Sequence, residues 1–202
     1  DRIYLTIQLF TLESGMNFEK LSWQLNWARF LAPLATATAA LKLLSTVLQK
    51  MLARFRIHRL TDHIVICGFG SKGKTLYQEL IEKDKKVLVI ESDASNPNLD
   101  FIRTRRGLYI IGDATDPDTL KMARVAYACQ FFSVCHSDEV QLKIALQLWQ
   151  MLNKNDALKS DPLKCVLHLQ QNENLNVLKN HPIFKDTNDA LNLHVYNVYE
   201  NS

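Results

Sequence analysis

The sequence predicts an α/β protein, a doubly wound parallel sheet of about six strands preceded by a long N-terminal helix. From residue 61 onward, short apolar runs rich in β-branched residues alternate with helical patterns, which is typical of a parallel sheet covered on both faces. The run from His63 to Asp93 contains a complete strand, helix and strand, with glycines directly after its first strand. The 202 residues, 47% of them hydrophobic and 22% charged, suit one folded domain plus an extra segment.

The glycines Gly68, Gly70 and Gly73 follow the predicted strand His63–Cys67 in a G-x-G-x-x-G spacing. In this motif the first glycine permits a tight turn, the second lets a phosphate approach the backbone, and the third lets the helix pack on the strand. The start of the following helix offers unpaired N–H groups and a partial positive charge to an anion. The second strand ends at Glu91, where a carboxylate can accept hydrogen bonds from ribose hydroxyls. Together these features predict a Rossmann-like nucleotide-binding unit.

The other elements follow from the same periodicities. Pro117 suits the first turn of a helix, and Leu142, Ala145, Leu146 and Trp149 share one face of another. We expect a long helix at Trp23–Leu52, strands at Lys86–Glu91, Gly107–Ile111, Gln130–Cys135, Lys164–Leu169 and Leu193–Val198, and helices at Asn96–Arg105, Pro117 to about Val125, Asp138–Met151 and Asn174–Lys179.

The N-terminal helix has the character of a membrane segment. Phe30–Leu41 is almost wholly apolar or small, and extending it past Lys42 to Leu48 gives the roughly twenty residues of a span with one charge to accommodate. A cluster of basic residues follows, as positive-inside topology places at a cytoplasmic helix end: Lys50, Arg54, Arg56 and Arg59. The alternative is a soluble amphipathic helix that packs on the Rossmann unit or on a partner. We expect one segment at residues 1–60 and the nucleotide-binding domain at residues 61–202.

Composition limits the function classes. The net charge of +3 is too small to predict nucleic-acid binding. The four cysteines have no C-x-x-C spacing, and three of them lie within or beside apolar runs, so we expect buried free thiols and a reducing compartment. No His, Cys or carboxylate cluster has metal-ligand spacing, so we expect no metal site. The chain lacks the Tyr-x-x-x-Lys pair of one dehydrogenase class, so we expect a binding protein and not an enzyme. Because it begins without Met, we also expect it to be a fragment of something longer.

The candidate site lies at the carboxyl ends of the predicted strands. Glu91 would repel a 2′-phosphate, which predicts a preference of about tenfold or more for NAD over NADP. Asp113 follows the third strand and either lies beside the adenosine or only caps a turn. Lys72 could supplement the helix dipole, and His136 could touch a nicotinamide or a phosphate. The predicted cofactor-binding residues are Gly68, Phe69, Gly70, Ser71, Lys72, Gly73, Glu91, Ser92, Asp113, Ala114, Thr115 and His136.

The run HIVICGFGSKGKTLYQELIEKDKKVLVIESD, followed by GLYIIGDATD, resembles an RCK domain over roughly Asp62 to Leu169. These domains, also called KTN or Trk-type NAD-binding (TrkA-N) domains, regulate potassium channels and transporters. The resemblance implies a domain that forms a homodimer or a larger ring beneath a membrane pore, on the cytoplasmic side of the cell membrane. It also implies that NAD(H), ATP, ADP or AMP binds at the glycine loop and controls the pore.

The residues that would precede such a domain depart from the channel pattern. The stretch DRIYLTIQLFTLESG occupies the place of a pore helix and filter but contains no T-V-G-Y-G run, so the ion remains open. A soluble NAD-dependent oxidoreductase fragment without its substrate domain is the alternative function. A scaffold that has lost its ligand is disfavoured by the intact glycines and by Glu91.

Overall fold

The structure, a computed structural model, describes residues 23–153, 161–169 and 191–197. The chain divides into two compact units, residues 1–54 and residues 55–202. Helix α1, Trp23–His58, runs through the division, so the functional boundary expected at residue 60 remains a prediction. In the described ranges, no helix combines the length and the apolar character that crossing a membrane requires.

Helix α1 ends six residues later than its predicted end at Leu52. Its last turn belongs to the second unit, where Ile57 is buried in the core. Arg56 donates from Nη1 to the carbonyl of Arg106 at 3.2 Å, and the Arg59 guanidinium lies 4.3 Å from the centre of the Phe55 ring. Part of the basic cluster therefore has a structural role where the chain enters the sheet.

The second unit contains a parallel sheet, as predicted. The described ranges supply six strands, arranged in the order β3-β2-β1-β4-β5-β6, and every neighbouring pair is parallel. The winding reverses between β1 and β4, and ligands bind at such a switch point in open α/β sheets. The strands are β1 His63–Cys67, β2 Val87–Glu91, β3 Leu108–Ile111, β4 Ala128–Ser133, β5 Leu163–Leu169 and β6 Leu191–Asn197.

Helices cover the sheet because its central strands carry apolar residues on both faces. In β1, Val65 and Cys67 join one hydrophobic cluster, whereas Ile66 joins the other. The alternation follows from the two-residue period of a strand. The helices after α1 are α2 Ser71–Glu82, α3 Leu99–Thr104, α4 Pro117–Met122 and α5 Asp138–Asn153.

Two predicted elements, β4 and α3, had wrong bounds for identifiable reasons. A short 3-10 helix at Val125–Tyr127 leads directly into β4, so the strand begins and ends two residues earlier than predicted and Cys135 lies in the loop beyond it. Helix α3 begins three residues later than predicted, because Asn96 and Asn98 form a turn in which the Asn98 N–H donates to Asn96 Oδ1 at 3.0 Å. The predicted helix Asn174–Lys179 lies outside the described residues.

Candidate functional site

The glycine loop joins β1 to α2 at the switch point of the sheet. Gly68 has a φ of +89°, a backbone conformation that residues with a side chain rarely adopt. A Cβ there would also lie 3.2 Å from the Cys135 nitrogen. A Cβ on Gly73 would overlap the carbonyl oxygen of Gly68. These two glycines are therefore required by the backbone and by the packing of α2.

Gly70 differs because its hydrogen faces open space. A Cβ on this residue would meet no atom within 4 Å among the described residues. Gly70 is the N-cap residue of α2, and no described side chain makes a capping hydrogen bond there. The first turn of α2 contains no acidic residue. The first N–H groups of a helix lack intrahelical partners and attract anions. The described atoms therefore leave open space beside Gly70 at the start of α2, where these N–H groups lie.

Phe69 contributes to this loop through its main chain. Its side chain is fully buried and meets the ring of Tyr77 edge to face, with the ring centres 5.6 Å apart. The N–H of Phe69 donates to Glu91 Oε2 at 2.8 Å. The aromatic ring thus anchors the loop in the core while its backbone is fixed from the neighbouring strand.

Glu91 is buried and already receives four hydrogen bonds from the protein. Oε2 accepts from the Phe69 N–H at 2.8 Å and from Asn96 Nδ2 at 3.0 Å. Oε1 accepts from the Asp93 N–H at 3.0 Å and from Ser92 Oγ at 3.3 Å. An ionised carboxylate offers about four acceptor positions, so a ribose hydroxyl would have to replace one of these donors. The bond from Ser92 is the longest and the easiest to exchange.

Asn96 and Asn98 complete a clamp on the Phe69 peptide that the sequence reasoning missed. The side-chain amides of both residues donate to the Phe69 carbonyl, at 3.1 Å from Asn96 and 3.3 Å from Asn98. Glu91, the last residue of β2, accepts from the N–H of the same residue. Side chains from the end of β2 and from the connection to α3 therefore fix both the N–H and the carbonyl of Phe69. The signal in the sequence was two asparagines in a turn after β2, because asparagine side chains commonly bond nearby backbone.

Asp113 lies at the end of β3 in a different environment. It is exposed, and its Oδ1 accepts from the Thr115 N–H at 2.8 Å, which forms a turn. Ala114 is buried, and the Gly112 N–H donates to the Glu91 carbonyl at 2.9 Å. Asp113 thus stabilises a turn, as one of the two predicted roles requires. Its carboxylate is exposed at the same edge of the sheet as Glu91.

Residues of α2, of the loop after β4 and of β5 lie on the other side of the glycine loop. Lys72 Nζ lies 3.1 Å from Nε2 of His168, so this lysine extends toward β5. His136 is exposed in the loop after β4. Gln141 is fully buried and donates to the carbonyls of Cys135 and His168, which fixes the ends of β4 and β5 to α5. Lys72 and His136 thus border the switch point from two elements.

Two thiols lie beneath the glycine loop. Cys67 Sγ and Cys135 Sγ are 3.4 Å apart, and Cys67 is the last residue of β1. The hydrogen bond between the two sulfurs, together with burial, raises the pKa of the Cys67 thiol, whereas the same hydrogen bond lowers the pKa of the Cys135 thiol. No spacing in the sequence pairs them, because Cys67 ends β1 and Cys135 lies in the loop after β4.

Known proteins resemble both the sequence and the fold. The TrkA-N domain family matches residues 64–185. Potassium channel protein 1 of Methanocaldococcus jannaschii is 35% identical over 117 residues, which cover 54% of this chain and 32% of the relative. The chain spans a third or less of the curated relatives it matches.

Solved structures share the fold at lower identity. The TrkA-N domain of the inner membrane protein ybaL from Escherichia coli has a TM-score of 0.52 and 15% identity, covering 70% of this chain and 91% of that one. The NAD(P)-binding domain of an exopolyphosphatase-related protein from Archaeoglobus fulgidus has a TM-score of 0.50 and 18% identity, covering 68% of this chain and 89% of that one. The family match extends over most of the described sheet and its glycine loop, and the chain belongs to the TrkA-N domain family.

Proposed function

We propose that residues 61–202 form a regulatory domain that binds NAD(H) or an adenine nucleotide (ATP, ADP or AMP) at the loop Gly68–Gly73. The observation that carries the proposal is the open space beside Gly70 at the start of α2. A phosphate placed there would accept hydrogen bonds from the first N–H groups of the helix. The solved NAD(P)-binding domain from Archaeoglobus fulgidus, which shares the fold, supports a nucleotide as the ligand.

The regulated protein is a membrane channel or transporter for potassium. Two relatives from Methanocaldococcus jannaschii are named as potassium channel proteins, one of them only as probable. This support favours a regulatory role over the alternative of a soluble oxidoreductase fragment. The N-terminal segment would join the domain to the cell membrane, with the domain on the cytoplasmic side. Large apolar side chains exposed along α1, such as Leu43, Met51 and Leu52, are suited to contact with lipid or with another chain.

Regulation requires that the nucleotide bind two arrangements of the domain with different affinity. The glycine loop is suited to this because Glu91, Asn96 and Asn98 couple it to the connection after β2. A ribose that exchanged with Ser92 at Glu91 would alter the same network. A homodimer, or a ring built from dimers, would convert this local change into the signal.

Calorimetric titration of the full chain with NAD, NADH, NADP, ATP, ADP and AMP tests the proposal. Gly70→Val should abolish binding because the side chain would fill the phosphate space, and Gly70→Ala should weaken it less. The thermal unfolding of both variants should match the wild type, since the Gly70 backbone is in the extended region and its Cβ meets open space.

Gly73→Ala is the contrasting variant. The new Cβ would overlap the Gly68 carbonyl oxygen, so this variant should have a lower unfolding temperature and also bind nucleotide more weakly. Failure of every nucleotide to bind at millimolar concentration, or normal binding by Gly70→Val, would contradict the proposed site.

A further inference from the structure

Cys67 and Cys135 are positioned to react with each other. Their sulfur atoms lie 3.4 Å apart, and Cys135 Sγ also lies 3.7 Å from the Cys67 carbonyl. The Val134 N–H donates to that carbonyl at 2.9 Å, so the backbones of β1 and of the loop after β4 are directly joined here. A disulfide requires an S–S distance of about 2.05 Å, so a shift of little more than 1 Å would close the bond.

The two thiols have complementary roles. Cys135 is partly exposed, and its hydrogen bond with Cys67 lowers its pKa, so it supplies the thiolate that an oxidant meets first. Cys67 is buried behind it, with a raised pKa, and is the group that would resolve an oxidised Cys135. Cys165, by contrast, is fully buried, and Cys129 donates to the His63 carbonyl at 3.4 Å.

We propose that Cys67 and Cys135 form a reversible dithiol–disulfide site that is oxidised by hydroperoxides and weakens nucleotide binding when oxidised. The Cys135 thiolate attacks one oxygen of hydrogen peroxide, the O–O bond breaks, and the released hydroxide takes a proton to leave as water. The resulting sulfenic acid is attacked by Cys67, an S–S bond forms, and the sulfenic oxygen leaves as a second water with the Cys67 proton. Two thiols and one peroxide thus give one disulfide and two waters.

The link to nucleotide binding is the shared backbone. The nitrogen of Cys135 lies 3.2 Å from the position of a Cβ on Gly68, and Gln141 holds the Cys135 carbonyl at 2.9 Å. A backbone shift of Cys135 that accompanies disulfide formation would therefore reach the first glycine of the loop directly. This part rests on the proposed nucleotide site, whereas disulfide formation itself does not.

The first measurement exposes the full reduced chain to hydrogen peroxide and maps its disulfides by mass spectrometry under non-reducing conditions. We expect a Cys67–Cys135 disulfide that dithiothreitol reverses and that Cys129→Ser leaves unchanged. Cys135→Ser and Cys67→Ala should each abolish it. If Cys67 and Cys135 remain as thiols while Cys129 is oxidised, the site is overturned.

The second measurement compares nucleotide dissociation constants of the reduced and oxidised chains. We expect weaker binding by about fivefold after oxidation, the low end of typical coupling between sites, with recovery after reduction. The oxidised Cys129→Ser variant should behave like the wild type. Equal affinities would overturn the link to binding, and absence of binding by the reduced chain would refute the proposed function while leaving the disulfide result intact.

Discussion

Two neighbouring strands, β2 and β3, each lead to an acid at the same edge of the sheet, and the two acids lie in different environments. Glu91 at the end of β2 is 8% exposed and receives four hydrogen bonds, two of them from backbone N–H groups. Asp113, two residues beyond β3, is exposed and receives a hydrogen bond from Thr115 within its own turn. The difference shows that an acid at the end of a strand can hold the backbone of the glycine loop in place.

The largest expected effect comes from Glu91→Gln. Each carboxylate oxygen accepts from a backbone N–H, Phe69 on one side and Asp93 on the other. The amide nitrogen of a glutamine would therefore face an N–H donor in either orientation. We expect the free energy of unfolding to fall by about 2 kcal/mol, measured by urea denaturation, because buried donors lose a charged acceptor.

Nucleotide affinity should fall with it, by about tenfold, which corresponds to roughly 1.4 kcal/mol. Thr115→Ala, which keeps the backbone donor to Asp113, serves as a control for stability alone and should unfold like the wild type. A Glu91→Gln variant as stable as the wild type would show that the four bonds do not hold the loop.

Asn96→Ala should give an intermediate effect. This residue donates to both the Phe69 carbonyl and Glu91 and accepts from the Asn98 N–H, whereas Asn98 donates from its side chain to Phe69 at 3.3 Å. We expect a loss of about 1 kcal/mol in unfolding free energy for Asn96→Ala and about half that for Asn98→Ala. Equal losses, again from urea denaturation, would contradict the central position of Asn96 in the clamp.

Asp113→Asn should give the smallest effect on stability, within about 0.5 kcal/mol, because the amide oxygen can still accept from Thr115 and the site is exposed. Its effect on nucleotide affinity sharpens the comparison. A clear loss of affinity without a loss of stability would assign Asp113 to the ligand. Unchanged affinity would leave it as a turn residue.

Local pattern predicted much of the frame. The bounds of β1 were predicted correctly, and the G-x-G-x-x-G spacing identified Gly68 and Gly73 before their backbone geometry was known. β4 was misplaced by two residues, since a short 3-10 turn leaves no distinct apolar pattern. The ligand contacts assigned to Ser71, Lys72, Ser92, Thr115 and His136 remain predictions.

The sequence by itself determined which runs become strands and where the glycine loop lies, because apolar periodicity and the need for a positive φ act over a few neighbouring residues. Only the tertiary structure decided what Glu91 and Cys135 do. The Phe69–Glu91 hydrogen bond joins residues 22 positions apart, and the Cys67–Cys135 contact joins residues 68 apart. Such contacts depend on the order and register of the strands, which place β2 and β4 on either side of β1. No local pattern encodes that arrangement, since it results from how the whole sheet buries its apolar faces.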